Sequence, residues 1–263
     1  RRIRRILPAL LIVILFSSLL SFYFLLPESL LKYSKTVIFS ISFLSNMFFW
    51  HSQTVYGAEE SFLSPLLHTW SLSVEEQFYI FYPLLLIILT SFIKKHFLLV
   101  VTIIFSLSLM LSVIGNLLVP SFNFFVLPTR IWEFLAGGII AYSEINKISK
   151  PKSKNYQTIL GFLLIIISIF YFNDELEHPS FFTLPPVIGA CLIIYNSSIK
   201  NNFIKITLTN KYILFIGLIS YSLYLWHFPL FSFLKHLGLY EINIFKILII
   251  FLTLFLSFFT YKY

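Results

Sequence analysis

Long apolar runs dominate this chain and leave little choice of fold. Most of them approach the roughly 20 residues that a helix needs to cross the hydrocarbon core of a bilayer. The runs are residues 7–26, 36–50, 77–93, 97–118, 126–142, 157–172, 183–195, 212–234 and 243–261. Only 11% of the residues are charged, whereas a soluble domain carries about 25%. The sequence therefore predicts an all-α polytopic membrane protein and excludes a soluble globular domain.

The charges between the apolar runs predict how the chain is oriented. Basic loops at 94–95, 147–154 and 198–211 alternate with an uncharged loop at 119–121 and an acidic one at 174–177. This alternation is typical of loops whose Lys and Arg stay on the cytoplasmic side. The net charge of +8 is explained in the same way, so we expect no nucleic-acid partner.

The same pattern requires an odd number of crossings between the basic start at 1–5 and the loop that contains residues 68–76. We therefore expect residues 36–50 to form a re-entrant or interfacial segment beside the outer face. The other runs predict about eight transmembrane helices in the plasma (inner) membrane, with both ends of the chain cytoplasmic. No internal repeat divides the sequence, so we treat residues 1–263 as a single domain.

A polar stretch interrupts the apolar pattern at residues 68–83. It reads His-Thr-Trp-Ser-Leu-Ser-Val-Glu-Glu-Gln-Phe-Tyr-Ile-Phe-Tyr-Pro and precedes a membrane helix that we predict to begin near Gln77. Placing a charge near hydrocarbon costs roughly 2.5–3.5 kcal/mol on insertion scales. The adjacent carboxylates Glu75 and Glu76, with His68, thus indicate a reactive or substrate-binding site. The alternative is that the carboxylates only stabilise the positive N-terminal end of the helix.

Two further segments place polar side chains within apolar runs. Arg130 and Glu133 are three residues apart and can pair on one helix face, and Gly137 and Gly138 would let a neighbouring helix approach closely. A buried structural ion pair is the alternative interpretation of that segment.

The second segment contains Ser220, Tyr224 and His227, spaced by four and three residues, which lines one helix face with a hydroxyl, a phenol and an imidazole. Here the alternative is a set of hydrogen-bonded packing residues.

Together these motifs resemble the integral-membrane acyltransferase 3 family. The resemblance rests on four segments: residues 68–79, Arg-Ile-Trp-Glu-Phe-Leu-Ala-Gly at 130–137, Ile-Ser-Tyr-Ser-Leu-Tyr-Leu-Trp-His-Phe-Pro at 219–229, and Arg-Arg-Ile-Arg-Arg-Ile-Leu-Pro at 1–8. It implies a ten-helix fold that moves an acyl group, commonly acetyl, from acyl-coenzyme A (acyl-CoA) on the cytoplasmic side. The acceptor is a hydroxyl of an envelope glycan such as lipopolysaccharide, exopolysaccharide or peptidoglycan. Acyl-CoA is then a co-substrate, and we expect no bound cofactor and no metal.

The resemblance also implies roles for single residues. Arg2 and Arg5, one turn apart, match the arginines that the family associates with the acyl donor. The catalytic candidates are Glu75, Glu76 and His68. The candidates for substrate binding are Trp70, which could stack on a sugar ring, and Ser71, Arg130, Glu133, Tyr224 and His227.

The departures from the family also matter. The catalytic histidine of its first helix and the Gly-Val-Asp-rich motif of its second helix do not occur in this sequence. We therefore expect that two leading helices are missing and that this piece alone is inactive. The competing hypothesis is a transporter or flippase for a glycan or small anion, because intramembrane Arg, Glu and His also mark transport paths. The lack of an inverted repeat disfavours it.

Overall fold

The computed structural model describes residues 2–52, 59–92, 94–146, 155–173, 176, 178–196 and 207–262. The α-helices in these ranges are α1 (Arg2–Phe24), α2 (Pro27–Ile41), α3 (Ser45–His51), α4 (Thr69–Phe92), α5 (Phe97–Leu118), α6 (Pro120–Phe125), α7 (Ile131–Ile145), α8 (Asn155–Tyr171), α9 (Leu184–Tyr195), α10 (Lys211–His236) and α11 (Asn243–Lys262). Short 3-10 helices occupy Glu59–Leu63, Lys94–His96, Leu127–Thr129 and Phe181–Thr183. No β-strand occurs in the described ranges, so the predicted all-α fold class is confirmed.

Five of these helices are long and apolar enough to cross a membrane, namely α1 from Ile6 onward, α4, α5, α10 and α11. This confirms the polytopic membrane class. Helices α8 and α9 are apolar but shorter, and α7 has 15 residues, which corresponds to about 22 Å. The predicted number of eight crossings therefore stays a prediction.

The chain divides into two compact units, each of which is described by itself. Unit 1 contains Arg1–Glu76 and Lys211–Tyr263, and unit 2 contains Gln77–Asn210. Helix α4 passes through the boundary, so its first eight residues belong to unit 1. The assignment of residues 1–263 to a single domain stays a prediction.

Helix α10 is the centre of unit 1, because both α1 and α11 pack against it. Leu10 and Val13 of α1 are fully buried together with Leu225 of α10 in one apolar cluster. The Tyr221 hydroxyl donates to the Ile6 carbonyl at 3.1 Å. These contacts fix the rotation of α10 and thereby the direction in which its polar residues point.

Helices α2 and α3 differ from the sequence-based expectation. We predicted a connection before residue 36, but the helix already begins at Pro27, where the fixed φ of proline suits the first turn. The apolar run 36–50 is broken between Ile41 and Ser45, where Phe43 has a φ of 53°. With 15 and 7 residues, neither helix is long enough to cross a bilayer. The re-entrant or interfacial placement stays a prediction.

In unit 2, two glycines let the backbones of α8 and α9 come into close contact. A Cβ added to Gly161 would lie 2.6 Å from the Gly189 carbonyl oxygen, and the reverse distance is the same. The sequence had pointed instead to Gly137 and Gly138. Gly138 does accommodate the Tyr82 hydroxyl at 2.6 Å from such a Cβ, but nothing lies within 4 Å at Gly137. The prediction is thus wrong for Gly137, whose missing side chain faces open space.

Candidate functional site

The imidazole of His68 lies where two of the sequence motifs meet in unit 1. His68 directly precedes α4 and is only 3% exposed. Its ring stacks on Phe228 at 5.4 Å and meets the edges of Tyr224 and His227 at 5.2 and 5.7 Å between ring centroids. The segments 68–83 and 219–229 therefore build one aromatic cluster around a buried histidine.

The Tyr224 hydroxyl connects this cluster to α4. It lies 2.6 Å from the Ser71 hydroxyl and also donates to the His68 carbonyl. His227 is half-buried, and its Nδ1 lies 3.3 Å from the Leu223 carbonyl of its own helix. Tyr224, His227, His68 and Ser71 thus lie together in unit 1.

Ser220 does not join this group, although its spacing places it on the same helix face. It is exposed and donates to the Gly217 carbonyl at 2.8 Å within α10. The shared helix face is as predicted, but Ser220 is not part of the histidine cluster, and its hydroxyl bonds the carbonyl one turn back.

Burial controls the protonation of His68. Desolvation lowers the pKa of His68 well below its ordinary value, and the charge of nearby His227 lowers it further. Backbone groups of Leu225 and Pro65 act in the opposite direction with a smaller effect. Neither ring nitrogen makes a hydrogen bond of good geometry to a residue in the described ranges. His68 is therefore a neutral imidazole at pH 7.

The carboxylates Glu75 and Glu76 lie inside α4. The helix begins at Thr69, so the predicted start near Gln77 is wrong. The first two turns of the helix already bury the apolar side chains Leu72 and Val74. No acidic residue occupies the first turn, and the stabilising effect of the helix dipole fades beyond that turn. The interpretation of the carboxylates as helix N-terminal charges is therefore ruled out.

The helical register separates the two carboxylates. Glu75 follows Ser71 by four residues and shares the face that meets Tyr224, whereas Glu76 follows Ser73 by three and Thr69 by seven. Glu76 is the more buried of the two, at 7% exposure, and Glu75 is half-buried. Glu75 thus lies on the face of α4 that contacts the histidine cluster.

A network of buried hydroxyls, which sequence reasoning missed, holds the start of α4 against α2 and α3. Thr69 Oγ1 lies 2.9 Å from Ser40 Oγ and 3.0 Å from Ser45 Oγ. Ser45 Oγ lies 2.8 Å from Ser73 Oγ, and the Ser45 backbone N–H donates to the same atom at 3.2 Å. The available signal was the spacing of Thr69 and Ser73 by one helical turn. This network fixes the face of α4 that carries Glu76.

A second polar cluster lies in unit 2, around Arg130. Its guanidinium donates through Nε to the Phe124 carbonyl at 2.9 Å and lies 5.2 Å from the centre of the Phe124 ring. Nη1 lies 3.3 Å from Glu133 Oε2, which confirms that the two residues form an ion pair. Arg130 precedes α7 rather than lying on it. The contact agrees with the alternative interpretation of a structural ion pair. A role of the two residues in substrate binding stays a prediction.

His178 is the residue of this second cluster that the sequence did not single out. Desolvation lowers the pKa of His178, and the positive charge of Arg130 lowers it further. Its Nδ1 lies 3.4 Å from Thr183 Oγ1. The amides of Asn116 and Asn123 donate to the carbonyl of the next residue, Pro179, at 2.8 and 2.9 Å. This arrangement could not be predicted from the sequence, because His178 is a single histidine beside an acidic loop and shows no regular spacing to its partners.

The remaining candidates are placed as follows. Trp70 is 8% exposed, so its stacking on a sugar stays a prediction. Helix α1 begins at Arg2, but the side chains of Arg2 and Arg5 lie outside the described part of the structure. The His, Cys, Asp and Glu side chains that are described include no group of three that could hold a metal ion.

Comparison with known proteins supports the same reading of the motifs. The family model of acyltransferase 3, described as an acyltransferase domain, matches residues 1–262. The chain belongs to this acyltransferase family. No solved structure was found to match it.

Three relatives in this family have names that bear on function. A Staphylococcus aureus (strain COL) protein named as a candidate O-acetyltransferase is 32% identical over 246 residues, which cover 89% of this chain and 40% of that protein. The peptidoglycan O-acetyltransferase OatA of Listeria monocytogenes is 28% identical over 243 residues, covering 88% and 39%. The O-acetyltransferase OatA of S. aureus (strain NCTC 8325) is 28% identical over 251 residues, covering 89% and 40%. The chain thus spans about two fifths of the length of these relatives.

Proposed function

We propose that this chain is the membrane domain of an enzyme that O-acetylates a cell-envelope glycan. The observation that carries the proposal is the family match over residues 1–262, together with relatives that are named as O-acetyltransferases. The name of the Listeria relative specifies peptidoglycan, so we propose peptidoglycan as the acceptor ahead of lipopolysaccharide or exopolysaccharide.

The donor in this proposal is acetyl-CoA. A hydroxyl oxygen of the glycan forms an ester bond to the acetyl carbon, and the bond from that carbon to the sulfur of coenzyme A breaks. The hydroxyl proton passes to a general base and from there to the departing thiolate. General bases that are positioned by an enzyme contribute about 10²–10⁴-fold to a reaction rate.

Among the residues that this chain supplies, His68 is our candidate for the proton acceptor. Its imidazole is neutral because burial lowers its pKa, and neither ring nitrogen makes a hydrogen bond of good geometry to a described residue. Tyr224 and Ser71, whose hydroxyls lie 2.6 Å apart, hold the backbone next to it. Glu75, in register with Ser71, supplies the carboxylate of this group.

The other binding roles belong to the same proposal. Arg2 and Arg5 bind the phosphates of acetyl-CoA, because guanidinium groups form bidentate hydrogen bonds to phosphate. Arg130 and Glu133 hydrogen-bond sugar hydroxyls, and their mutual ion pair holds both side chains in place. The protein lies in the plasma membrane with both ends of this segment cytoplasmic, as the basic loops predict.

Complementation in cells tests the proposal. The full-length protein is returned to cells that lack its gene, either as wild type or with Glu75→Gln plus Glu76→Gln, and the envelope glycan is analysed by mass spectrometry. We expect O-acetyl esters with the wild type and not with the double variant at equal membrane abundance. Glu144→Gln, which changes an exposed carboxylate on α7, is the matched control and should retain acetylation.

The same samples distinguish the transporter hypothesis. If the wild type never changes the ester content while the amount of glycan at the surface changes, the acetyltransferase proposal is wrong. Consumption of the acetyl-CoA thioester by the purified full-length protein is a second measurement, because only an acyltransferase uses this donor.

A further inference from the structure

An apolar groove runs between α1 and α11 in unit 1, and α10 forms its floor. It has a volume of about 440 Å³, within the range of roughly 300–1,000 Å³ that is typical of small-molecule sites. Its lining residues are Ile12, Leu15, Phe16, Leu19, Trp226, Leu256, Phe259 and Thr260. The catalytic and binding candidates discussed above are not among them.

The walls of the groove differ in exposure from its floor. Leu15 and Leu19 are 65% and 57% exposed and form the rim on α1, whereas Trp226 is only 3% exposed. The Phe16 ring meets Trp226 edge-on at 5.0 Å between centroids. Along α1 the lining extends from Ile12 to Leu19, about 10 Å at 1.5 Å per residue. The groove is thus an elongated slot with a rigid aromatic base.

Water is a poor occupant of this slot. Its polar side chains already bond each other, because Trp226 Nε1 donates to Thr260 Oγ1 at 2.9 Å and that hydroxyl donates to the Leu256 carbonyl at 2.8 Å. A buried water needs two to four polar partners, and an empty slot loses the dispersion contacts of its lining. A hydrocarbon chain needs no polar partners and restores the dispersion contacts of the lining, so it is a better occupant than water or empty space.

The surroundings of the groove supply that hydrocarbon. The three lining helices are all among those long and apolar enough to cross a membrane, and the rim leucines Leu15 and Leu19 are exposed. We propose that the groove binds one fatty-acyl chain of a membrane phospholipid, which fills the space between α1 and α11. The charged headgroup remains outside, because the lining offers it no polar partner. This site is independent of the acetyl-transfer reaction.

Photo-crosslinking tests the inference with a defined probe. The full-length protein is placed in bilayers that contain phosphatidylglycerol with a diazirine near the end of one acyl chain, and the crosslinked peptides are identified by mass spectrometry. We expect the adducts to concentrate on the groove residues of α1 and α11. Leu15→Trp places a large ring in the slot and should lower the yield of these adducts about tenfold. This is the low end of the roughly 10–200-fold effect that a small size mismatch has in a hydrophobic pocket.

The matched control is Leu254→Trp, which alters an exposed leucine (42%) about 200° around α11 from Leu256. It should leave the groove adducts unchanged. Leu19→Trp serves as a second groove variant if Leu15→Trp fails to fold, as judged by gel filtration. Adducts spread evenly over the exposed faces of α1 and α11, or an unchanged yield in both groove variants, would overturn the inference. Displacement of the phospholipid by an equimolar polyprenyl phosphate would overturn the choice of occupant.

Discussion

The Tyr224 hydroxyl joins the two motifs of the histidine cluster by hydrogen bonds, through Ser71 Oγ and the His68 carbonyl. Tyr224→Phe keeps the ring beside His68 but leaves both partners without this hydroxyl. Losing one partner of a buried hydrogen bond costs about 1–3 kcal/mol. We therefore expect glycan O-acetylation to fall about tenfold or more at equal protein abundance, measured by mass spectrometry of the glycan. Tyr212→Phe, at an exposed tyrosine of α10, should leave acetylation intact, and equal activity of both variants would contradict the role of Tyr224.

Arg130 makes contacts in several directions that a lysine cannot reproduce. Its planar guanidinium bonds the Phe124 carbonyl and Glu133 at the same time and lies over the Phe124 ring, whereas an ammonium is a single point charge. We expect Arg130→Lys to lower the free energy of unfolding by about 1–3 kcal/mol, because the Phe124 carbonyl loses its donor. Thermal unfolding in detergent measures this. Glu144→Gln is the control. If Arg130→Lys unfolds at the same midpoint temperature as the wild type, the planar geometry of the guanidinium is unimportant for stability.

The sequence predicted single residues unevenly. The Arg130–Glu133 pair was predictable, because both partners lie within one helical turn of sequence. The meeting of Ser71 with Tyr224 spans 153 positions, and nothing local in either motif specifies the rotation of α10 that produces it. His178 was missed for the same reason, since its neighbour Arg130 lies in a different segment of the chain.

At the level of helices, the contact between α8 and α9 depends on Gly161 and Gly189. An alanine at Gly161 would place its Cβ 2.6 Å from the Gly189 carbonyl oxygen, so the two backbones must separate. Overpacking of this kind costs about 1–3 kcal/mol, and we expect Gly161→Ala to lower the Tm by several degrees. Gly217→Ala is the control, since nothing lies within 4 Å of its added Cβ and alanine favours a helix by about 1 kcal/mol. Equal melting of the two variants would refute the close contact.

The prediction of helices was better than that of their ends and contacts. Long apolar runs place α1, α5, α10 and α11 well, because length and hydropathy alone decide a spanning helix. The start of α4 was placed too late, because Thr69, Ser71 and Ser73 resemble a polar loop although their hydroxyls bond within unit 1. The glycine contact between α8 and α9 left no signal, because each apolar run contains only a single glycine at that point.

For the whole molecule, the buried histidine predicts a loss of stability in acid. The pKa of His68 is lowered on folding, so the unfolded chain binds the proton more readily and stability decreases as pH falls below about 6.5. Between pH 6.5 and 5 this one group therefore contributes a progressive loss of stability. Thermal unfolding at both pH values measures it. His68→Phe keeps a ring to stack on Phe228 and should flatten the dependence, although His178, whose pKa is also lowered, leaves a smaller slope of the same sign. An unchanged slope in His68→Phe would show that His68 does not carry the effect.

The orientation of the chain in the membrane depends on whether residues 120–145 make a crossing. Helix α7 alone reaches about 22 Å, short of the roughly 30 Å of the hydrocarbon core, so α6 and the 3-10 turn Leu127–Thr129 must contribute. Irregular backbone at that depth is tolerated only where protein shelters it. Thr129 meets this condition, since it is fully buried and its hydroxyl lies 2.7 and 2.8 Å from the carbonyls of Asn123 and Val126.

Cysteine labelling decides this question. In a Cys191→Ser background, we expect Ser121→Cys to react with a membrane-impermeant maleimide on intact cells. Ser153→Cys, in the lysine-rich loop, should react only after the cells are permeabilised. Labelling of both positions from outside would mean that residues 120–145 return to the outer face, and the positive-inside orientation would then fail at this loop.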